Sequence, residues 1–147
     1  MDDAEVLALI SQVDLFRSLD DSQRERLARS TGTHQYREGE VIITQGEKGF
    51  HLSVIVSGRV QVLRERPDRD PLVIDELGPG LFFGEMALLD DRPRTATVVA
   101  AEDTLCLTLW SGHFRVQLES HPEMALALLP ELSRRWRRAV ERLAAVA

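Results

Sequence analysis

The stretch LSVIVSGRVQVLRE, residues 52–65, decides the fold class. It consists of two short runs rich in β-branched residues on either side of Ser57 and Gly58. Runs of this length and composition, bounded by turn residues, are typical of β-strands rather than helices. A Ser–Gly pair between two such runs predicts a tight hairpin, so we expect antiparallel strands here.

The same pattern extends outward in both directions. Further short apolar runs are found at residues 41–44, 71–77, 96–101 and 104–110. Glycines stand in the connections, at positions 39, 46, 49, 58, 78 and 80. Many short strands separated by regular turn signals predict a sandwich or a barrel over residues 33–110. The charged segment 66–70 predicts a second, longer hairpin.

Helical patterns flank this β region. Residues 1–32 are predicted to be helical, with a cap offered by Asp20, Asp21 and Ser22 before the second helix. A C-terminal helix pair is predicted over residues 111–147, with Pro122 opening the second helix and Pro130 breaking or kinking it. Apolar residues of that helix recur every three or four positions, at 129, 132, 136, 139, 143 and 146. This a/d seam suits packing on the β region or pairing with a second chain, and the sequence leaves both open.

Length and composition limit the alternatives. The 147 residues suit a single domain, 1–147, and the net charge of −6 argues against nucleic acid as a partner. The lone cysteine, Cys106, excludes a disulfide framework within the chain and favours a reducing cytosol, so we expect a cytoplasmic location. The acidic N-terminus is unlike a signal peptide, and no apolar run is long enough to span a membrane.

Residues 82–98, FFGEMALLDDRPRTATV, carry the clearest chemical pattern. Gly84 lets the backbone approach a ligand closely, and the short helix predicted after it would present free N–H groups to an anion. Arg94 suits two phosphate oxygens, and Thr95 adds a hydroxyl donor. Glu85 would repel a phosphate but suits a ribose hydroxyl, and phosphate together with ribose indicates a nucleotide. The alternative is a surface ion pair between Glu85 and Arg94, which the residues alone leave open.

This stretch resembles the phosphate-binding cassette of cyclic nucleotide-binding domains, the family of the catabolite activator protein, the regulatory subunits of cyclic nucleotide-dependent kinases and gated channels. Two further stretches are similar to the same family, REGEVIITQGEKGFHLSVIVSGRVQV at 37–62 and LGPGLFFGE at 77–85. The resemblance covers nearly the whole chain. It implies a jelly-roll-like double-stranded β-helix, or β-roll, which makes a mainly β fold with N-terminal helices and a C-terminal helix pair.

The resemblance also implies a role for each site residue. Gly84 and the amides of Met86 and Ala87 should face the cyclic phosphate, and Glu85 should accept the ribose 2′-OH. Arg94 should pair with the exocyclic phosphate oxygens. The remaining ligand-binding residues that the resemblance implies are Thr95 and Ala96 beside the phosphate, Val62 and Ile74 along the base, and Arg135 and Trp136 on the C-terminal helix.

The residues that would read the base depart from the family pattern. Two helix positions that carry hydroxyl residues in the catabolite activator are Ala139 and Val140 here. Arg135 matches a polar base contact, and Trp136 either covers the purine or anchors the helix seam. Thr95 accompanies guanine preference in eukaryotic relatives, although bacterial cAMP-binding members also carry Thr or Ser. We expect cAMP as the ligand, with cGMP as the alternative.

The resemblance implies a regulatory or sensor domain that binds a cyclic nucleotide, carries out no reaction and needs no cofactor or metal. The ligand would shift the predicted 85–90 helix and, through it, the C-terminal helix. We expect an effector domain or protein outside this chain, a possible homodimer through the 129–146 seam, and no nucleic acid contact. Two alternatives are a ligand-free dimerising module of the same fold and a metal enzyme on a double-stranded β-helix. The four histidines, 34, 51, 113 and 121, share no ligand spacing that would favour the enzyme.

Overall fold

The computed structural model describes residues 1–85 and 92–146. The helix that the sequence predicts at 85–90 therefore lies, except for its first residue, outside the described residues. The described chain begins with helices α1 (Asp3–Ser11) and α2 (Asp21–Arg29), and a 3-10 turn at Asp14–Phe16 lies between them. Its strands are β1 (Thr31–Tyr36), β2 (Val41–Ile43), β3 (His51–Ser57), β4 (Val60–Arg66), β5 (Arg69–Leu77), β6 (Phe82–Phe83), β7 (Thr97–Ala100) and β8 (Thr104–Trp110). Two helices follow, α3 (Ser111–Ser120) and α4 (Pro122–Val146).

The strands form two antiparallel sheets. Within the described residues, one sheet has the order β1–β8–β3–β6 and the other the order β2–β7–β4–β5. The chain passes repeatedly from one sheet to the other, and both sheets contribute to a shared apolar cluster that includes Ile55, Val60, Leu77, Phe83 and Cys106. This architecture confirms the prediction of a mainly β fold, a β-roll, with flanking helices.

The predicted hairpin at Ser57 and Gly58 is wrong. Strand β3 pairs with β8 and β6, whereas β4 pairs with β5 and β7, so the chain changes sheets at this point. Gly58 has a φ of 95°, and an added Cβ would lie 2.4 Å from the Thr104 hydroxyl oxygen and 2.5 Å from the Asp103 carbonyl oxygen. A corner and a hairpin both need a glycine between two strands, and the local pattern does not separate them.

The hairpin predicted at residues 66–70 is confirmed, but its turn is short, whereas a longer one was predicted. Strands β4 and β5 pair antiparallel up to Arg66 and Arg69, which leaves Pro67 and Asp68 as the turn. Asp68 has a φ of 60°, a conformation that aspartate tolerates better than most residues because its short side chain bonds locally.

A β-bulge interrupts the pairing of β4 with β5. Val62 pairs with Asp75 but the next residue, Leu63, pairs with Val73, so Ile74 is an extra residue in β5. A bulge re-aims side chains and breaks the alternation of a strand between its two faces. This irregularity lies in the wall of the cavity described below.

The N-terminal helices are fixed by a capping box and by packing. The Asp20 carboxylate accepts a hydrogen bond from the Gln23 N–H, and the Gln23 side chain accepts one from the Asp20 N–H, both at 2.8 Å. This confirms the predicted cap before α2. Phe16, just before α2, packs edge-to-face on Phe114 of α3 with ring centroids 6.4 Å apart. The N- and C-terminal helices therefore share one buried apolar cluster.

Helix α4 runs through Pro130, so the predicted break is wrong, while the alternative of a kink stays a prediction. A proline removes one hydrogen bond, to the carbonyl four residues earlier, which belongs here to Leu126. Both Leu126 and Pro130 are exposed, so water can satisfy that carbonyl. Although α4 spans 25 residues, neither it nor another helix in the described part of the chain is long and apolar enough to cross a membrane.

The predicted a/d seam of α4 is divided between two faces. Leu132 packs against the apolar cluster and Ala139 lines the cavity, whereas Leu129, Trp136 and Leu143 are exposed. The exposed apolar residues lie about 120° around the helix from the face that contacts the β-roll. They form an outer stripe, which we define as Leu126, Leu129, Trp136, Val140 and Leu143.

Candidate functional site

A cavity of about 240 Å³ lies between the second sheet, residues 83–85 and helix α4. Its apolar wall comes from β2, β4, β5, β6 and β7, through Ile43, Val62, Ile74, Leu77, Phe83 and Val98. Its polar lining consists of Asp75, Glu85, Arg94, Thr95 and Arg135. An apolar cavity with a few convergent charged groups is the usual form of a small-molecule site.

Arg94 is held in place by the main chain. Its guanidinium donates hydrogen bonds to the carbonyl oxygen of Gly84 at 3.1 Å and to that of His51 at 3.0 Å. Among the described residues, these contacts use two of the five N–H groups of the guanidinium. Burial lowers the pKa of Arg94, and the nearby Glu85 carboxylate counteracts that shift. Arginine nevertheless stays charged at neutral pH.

Two glycines make room for this guanidinium. An added Cβ at Gly49 would lie 2.0 Å from Nε and 2.2 Å from Cζ of Arg94. At Gly84, where φ is 86°, an added Cβ would lie 2.7 Å from the His51 carbonyl oxygen and 3.0 Å from Nη1 of Arg94. Gly84 therefore requires glycine for space and backbone conformation, whereas a larger residue at Gly49 would displace the Arg94 guanidinium.

Glu85 contacts helix α4 rather than Arg94. Its Oε1 lies 3.2 Å from Nη1 of Arg135, and both side chains are only about 15% exposed, at 16% and 14% respectively. Arg135 also donates to the carbonyl oxygen of Phe82, and its guanidinium carbon lies 4.4 Å from the centre of the Phe82 ring. The ion pair of the sequence-based alternative, Glu85 with Arg94, is therefore replaced by a pair that joins the cassette to α4.

A buried carboxylate on α4 supports Arg135. Glu131 is 5% exposed and accepts hydrogen bonds from Nε of Arg134 at 3.0 Å and from Nε of Arg135 at 3.1 Å. Burial alone would raise the pKa of Glu131, but the hydrogen bonds from Arg134, Arg135 and Arg138 outweigh it and lower the pKa. The carboxylate is thus charged at neutral pH and orients Arg135 towards the cavity.

Two further arginines fasten α4 to strand β5. Arg138 donates from Nε to Oδ1 and from Nη2 to Oδ2 of Asp75, both at 3.1 Å. Arg142 donates to the carbonyl oxygen of Val73 at 2.9 Å. Together with Arg135, they place one guanidinium on each successive turn of the roll-facing side of α4.

The structure brings most of the expected site residues together. Those that line the same cavity are Val62, Ile74, Gly84, Glu85, Arg94, Thr95, Ala96 and Arg135. Met86 and Ala87 lie outside the described residues. Trp136 is 71% exposed and is not among the described lining residues, because it lies on the outer stripe of α4. The expectation that Trp136 covers the base is therefore not met in this conformation.

Sequence reasoning missed two acidic residues of the site. Asp75 lines the cavity because the bulge at Ile74 interrupts the alternation of side chains between the two faces of β5. No pattern in the sequence predicts that bulge. Glu131 is not among the residues that the sequence predicts for the site. A signal was present there, since an acid three and four residues before Arg134 and Arg135 is the spacing of helical ion pairs.

Known proteins are similar to this chain in sequence. The cyclic nucleotide-binding domain family matches residues 33–121. The chain is 36% identical over 106 residues to a cAMP-dependent protein kinase regulatory subunit of Candida albicans, covering 72% of this chain and 22% of that protein. It is 39% identical over 103 residues to the corresponding subunit of Dictyostelium discoideum, covering 68% of this chain and 32% of that protein. The chain thus spans between about a fifth and a third of these curated relatives.

Solved structures agree with this assignment. The catabolite activator protein of Thermus thermophilus superposes with a TM-score of 0.74 and 32% identity, over 90% of this chain and 62% of that one. A cAMP-bound PfPKA-R structure superposes with a TM-score of 0.80 and 25% identity, over 95% of this chain and 46% of that one.

Fold and cavity together define a β-roll module built to hold a small anionic ligand under a helix. The chain belongs to the cyclic nucleotide-binding domain family.

Proposed function

We propose that this chain is a regulatory domain that binds a cyclic nucleotide, cAMP in preference to cGMP, in the cavity beneath α4. One observation carries the proposal: the Arg94 guanidinium, anchored on two main-chain carbonyls, lines the same apolar cavity as the Glu85 carboxylate. A fixed cation suits the cyclic phosphate, and a carboxylate suits the ribose hydroxyl. The relatives are regulatory subunits of a cAMP-dependent protein kinase and a catabolite activator protein, which supports a domain that binds its ligand without altering it.

The proposed contacts follow the family pattern. Arg94 binds the phosphate oxygens with the N–H groups that Gly84 and His51 leave free, and Glu85 accepts the 2′-OH. Thr95 and Ala96 flank the phosphate, and Val62 and Ile74 cover the base. The amides of Met86 and Ala87 complete the phosphate site in this proposal.

Calorimetric titration with cAMP and cGMP tests the binding. Arg94→Ala should lose at least about 100-fold in affinity, because it removes a bidentate, charge-assisted contact. Arg59→Ala is the matched control, since the Arg59 side chain lies 3.8 Å from Glu76 in a surface pair and Arg59 does not line the cavity among the described residues. Wild-type protein that gives no heat with either nucleotide would refute the proposal.

We propose that occupancy is relayed to α4 through Arg135. This side chain contacts Glu85 in the cavity and Glu131 on the helix, so a ligand that engages Glu85 changes how α4 is held. Hydrogen exchange of α4 with and without cAMP measures the relay. Arg135→Met should still bind cAMP but should lose most of the ligand-dependent change in α4. An unchanged response in that variant would exclude Arg135 as the link.

We also propose that two copies associate through the outer stripe of α4. Its members, together with Ser133, recur at spacings of three and four, the pattern of a two-helix seam. Leu143→Glu should shift a dimer to a monomer in sedimentation while leaving the melting temperature nearly unchanged. Leu132→Glu should instead unfold the protein, because Leu132 packs against the buried cluster. A monomeric wild type would contradict this association.

The output of the domain is proposed to be an effector domain or protein outside this sequence. The curated relatives are regulatory subunits of a protein kinase, which supports a protein effector. The net charge of −6 supports a domain that makes no nucleic acid contact itself.

A further inference from the structure

Asp75 is a cavity-lining carboxylate to which the proposed contacts assign no role. It stands beside the bulge residue Ile74 on β5, and its side chain is 13% exposed. Ala139 lines the same cavity from α4, and its neighbour Arg138 bonds to Asp75. The Asp75 carboxylate therefore lies where the wall provided by β5 meets the helix that covers it.

Both oxygens of the Asp75 carboxylate already accept hydrogen bonds from protein groups. Oδ1 accepts hydrogen bonds from Nε of Arg138 at 3.1 Å and from the Glu76 N–H at 2.9 Å, while Oδ2 accepts one from Nη2 of Arg138 at 3.1 Å. The pair has the parallel fork geometry that makes arginine–carboxylate contacts strong and specific. The interaction also raises the pKa of Arg138, chiefly through the hydrogen bond to Asp75.

An unpaired carboxylate at this place would favour guanine. An ionised carboxylate only accepts hydrogen bonds. Guanine presents two adjacent donors, N1–H and the 2-amino group, which match the two oxygens of a carboxylate. Adenine presents at the corresponding edge an acceptor, N1, with a single amino donor beside it. A bidentate contact to the right base changes selectivity by about 10- to 100-fold.

We propose that the Asp75–Arg138 pair sets the base selectivity of the site by withholding a guanine-recognising carboxylate from the ligand. The inference rests on the proposed binding of a cyclic nucleotide. With Asp75 held by Arg138, the base meets an apolar wall, and the site keeps the preference for cAMP over cGMP. Thr95, which in the sequence favours neither base, then does not decide the selectivity alone.

The position of Arg138 ties this selectivity to helix α4. Its second partner, Glu131, lies farther away, at 3.4 Å, so the contact with Asp75 is the one that fixes its head group. A displacement of α4 that withdrew Arg138 would expose Asp75 to the ligand. The selectivity of the site therefore depends on how α4 is seated.

Calorimetric titration of the whole chain with cAMP and cGMP tests the proposal. Arg138→Met, which keeps the aliphatic part of the side chain but removes the charged guanidinium, should shift the affinity ratio towards cGMP by about tenfold or more. The double variant Arg138→Met, Asp75→Asn should lose that shift, because the second acceptor oxygen is gone. Cyclic inosine monophosphate, which has N1–H but no 2-amino group, should gain less than cGMP in Arg138→Met.

Arg142→Met is the matched control, since Arg142 fastens the same helix to the same strand through the Val73 carbonyl. Its affinity ratio should equal that of the wild type. An equal shift in Arg142→Met would overturn the proposal, because loosening α4 would then explain the effect. An unchanged ratio in Arg138→Met, with cAMP still bound, would also overturn it.

Asp75→Ala gives an independent test that does not depend on the folding of Arg138→Met. Because the wild type withholds Asp75, its removal should leave the ratio of the two affinities within about twofold. A selective loss of cGMP binding in Asp75→Ala would mean that the base already contacts Asp75 and would contradict the proposal. Wild-type protein that binds neither nucleotide would instead refute the proposed function itself.

Discussion

Replacing Gly49 by alanine should weaken nucleotide binding without unfolding the protein, although Gly49 is not among the described residues of the cavity wall. The new methyl carbon would lie 2.0 Å from Nε, 2.1 Å from Nη2 and 2.2 Å from Cζ of Arg94. Ordinary van der Waals contact begins at 3.4 Å, so the guanidinium must move by 3.4 − 2.0, or about 1.4 Å. Gly49 does not have a positive φ, so the substitution acts through space and not through backbone strain.

The size of the effect follows from the contacts of Arg94. A shift of about 1.4 Å takes its N–H groups out of hydrogen-bonding distance of the Gly84 and His51 carbonyl oxygens, now 3.1 and 3.0 Å away. The same shift also moves the Arg94 N–H groups that would bind the phosphate. The loss of one charge-assisted hydrogen bond costs about 1.5–3 kcal/mol, which corresponds to an affinity about 10- to 150-fold lower. The flexible end of Arg94 can move, so the free energy of unfolding should fall by no more than about 2 kcal/mol.

Calorimetric titration with cAMP and thermal unfolding together measure this prediction. Gly112→Ala is the control, because in α3 an added Cβ meets no described atom within 4 Å and alanine favours the helix. A double-mutant cycle with Arg94→Ala is the sharper test. Gly49→Ala should add almost nothing in the Arg94→Ala background, since its effect passes through Arg94. Equal losses in both backgrounds, or wild-type affinity in Gly49→Ala, would refute the reasoning.

Three further predictions concern stability and reactivity. The pKa of Glu131 is lowered in the folded protein, so its carboxylate stabilises the fold above pH 4.5, the usual pKa, and this stabilisation is lost as the pH falls through the lowered pKa. Glu131→Gln should therefore show a smaller fall in melting temperature between about pH 6 and about pH 3 than the wild type. An equal fall in both proteins would contradict this. Gly58→Ala should cost more than about 2 kcal/mol in urea unfolding, whereas Gly39→Ala, at a φ of 86° with open space, should cost about 1 kcal/mol; equal costs would mean that the corner is not close-packed. Burial raises the pKa of Cys106 to about 12, so a thiol reagent should label it only as fast as the protein unfolds, and rapid labelling of the native protein would contradict its burial.

Local features of the chain predicted much of the fold. The alternation of short β-branched runs and glycines predicted the strands, and the capping residues at 20–22 predicted the start of α2. These features depend on residues within a few positions of one another, where side-chain periodicity and capping act. The break predicted at Pro130 was wrong for the same reason, since the energetic cost of a proline inside a helix depends on whether the carbonyl that it leaves without a hydrogen bond faces water.

The candidate site was predictable where its residues are consecutive. Gly84, Glu85, Arg94 and Thr95 form a recognisable order in the sequence, and the structure places them around one cavity with Val62 and Ile74. The partner of Glu85 was not predictable, because Arg135 is distant in the chain and reaches it only once α4 lies on the roll. The placement of Trp136 outside the cavity follows from the same docking of α4.

The sequence by itself determined the class of fold and the order of the candidate site residues within 84–96, because both depend on short-range patterns of residue type. Tertiary structure alone decided that Ser57 and Gly58 turn a corner between sheets and that the bulge at Ile74 brings Asp75 to the cavity. Tertiary structure also decided that Arg138 forms hydrogen bonds with Asp75, which lies 63 positions earlier in the chain. Contacts of that range depend on the packing of α4 against β5, a property of the whole domain that no single segment carries.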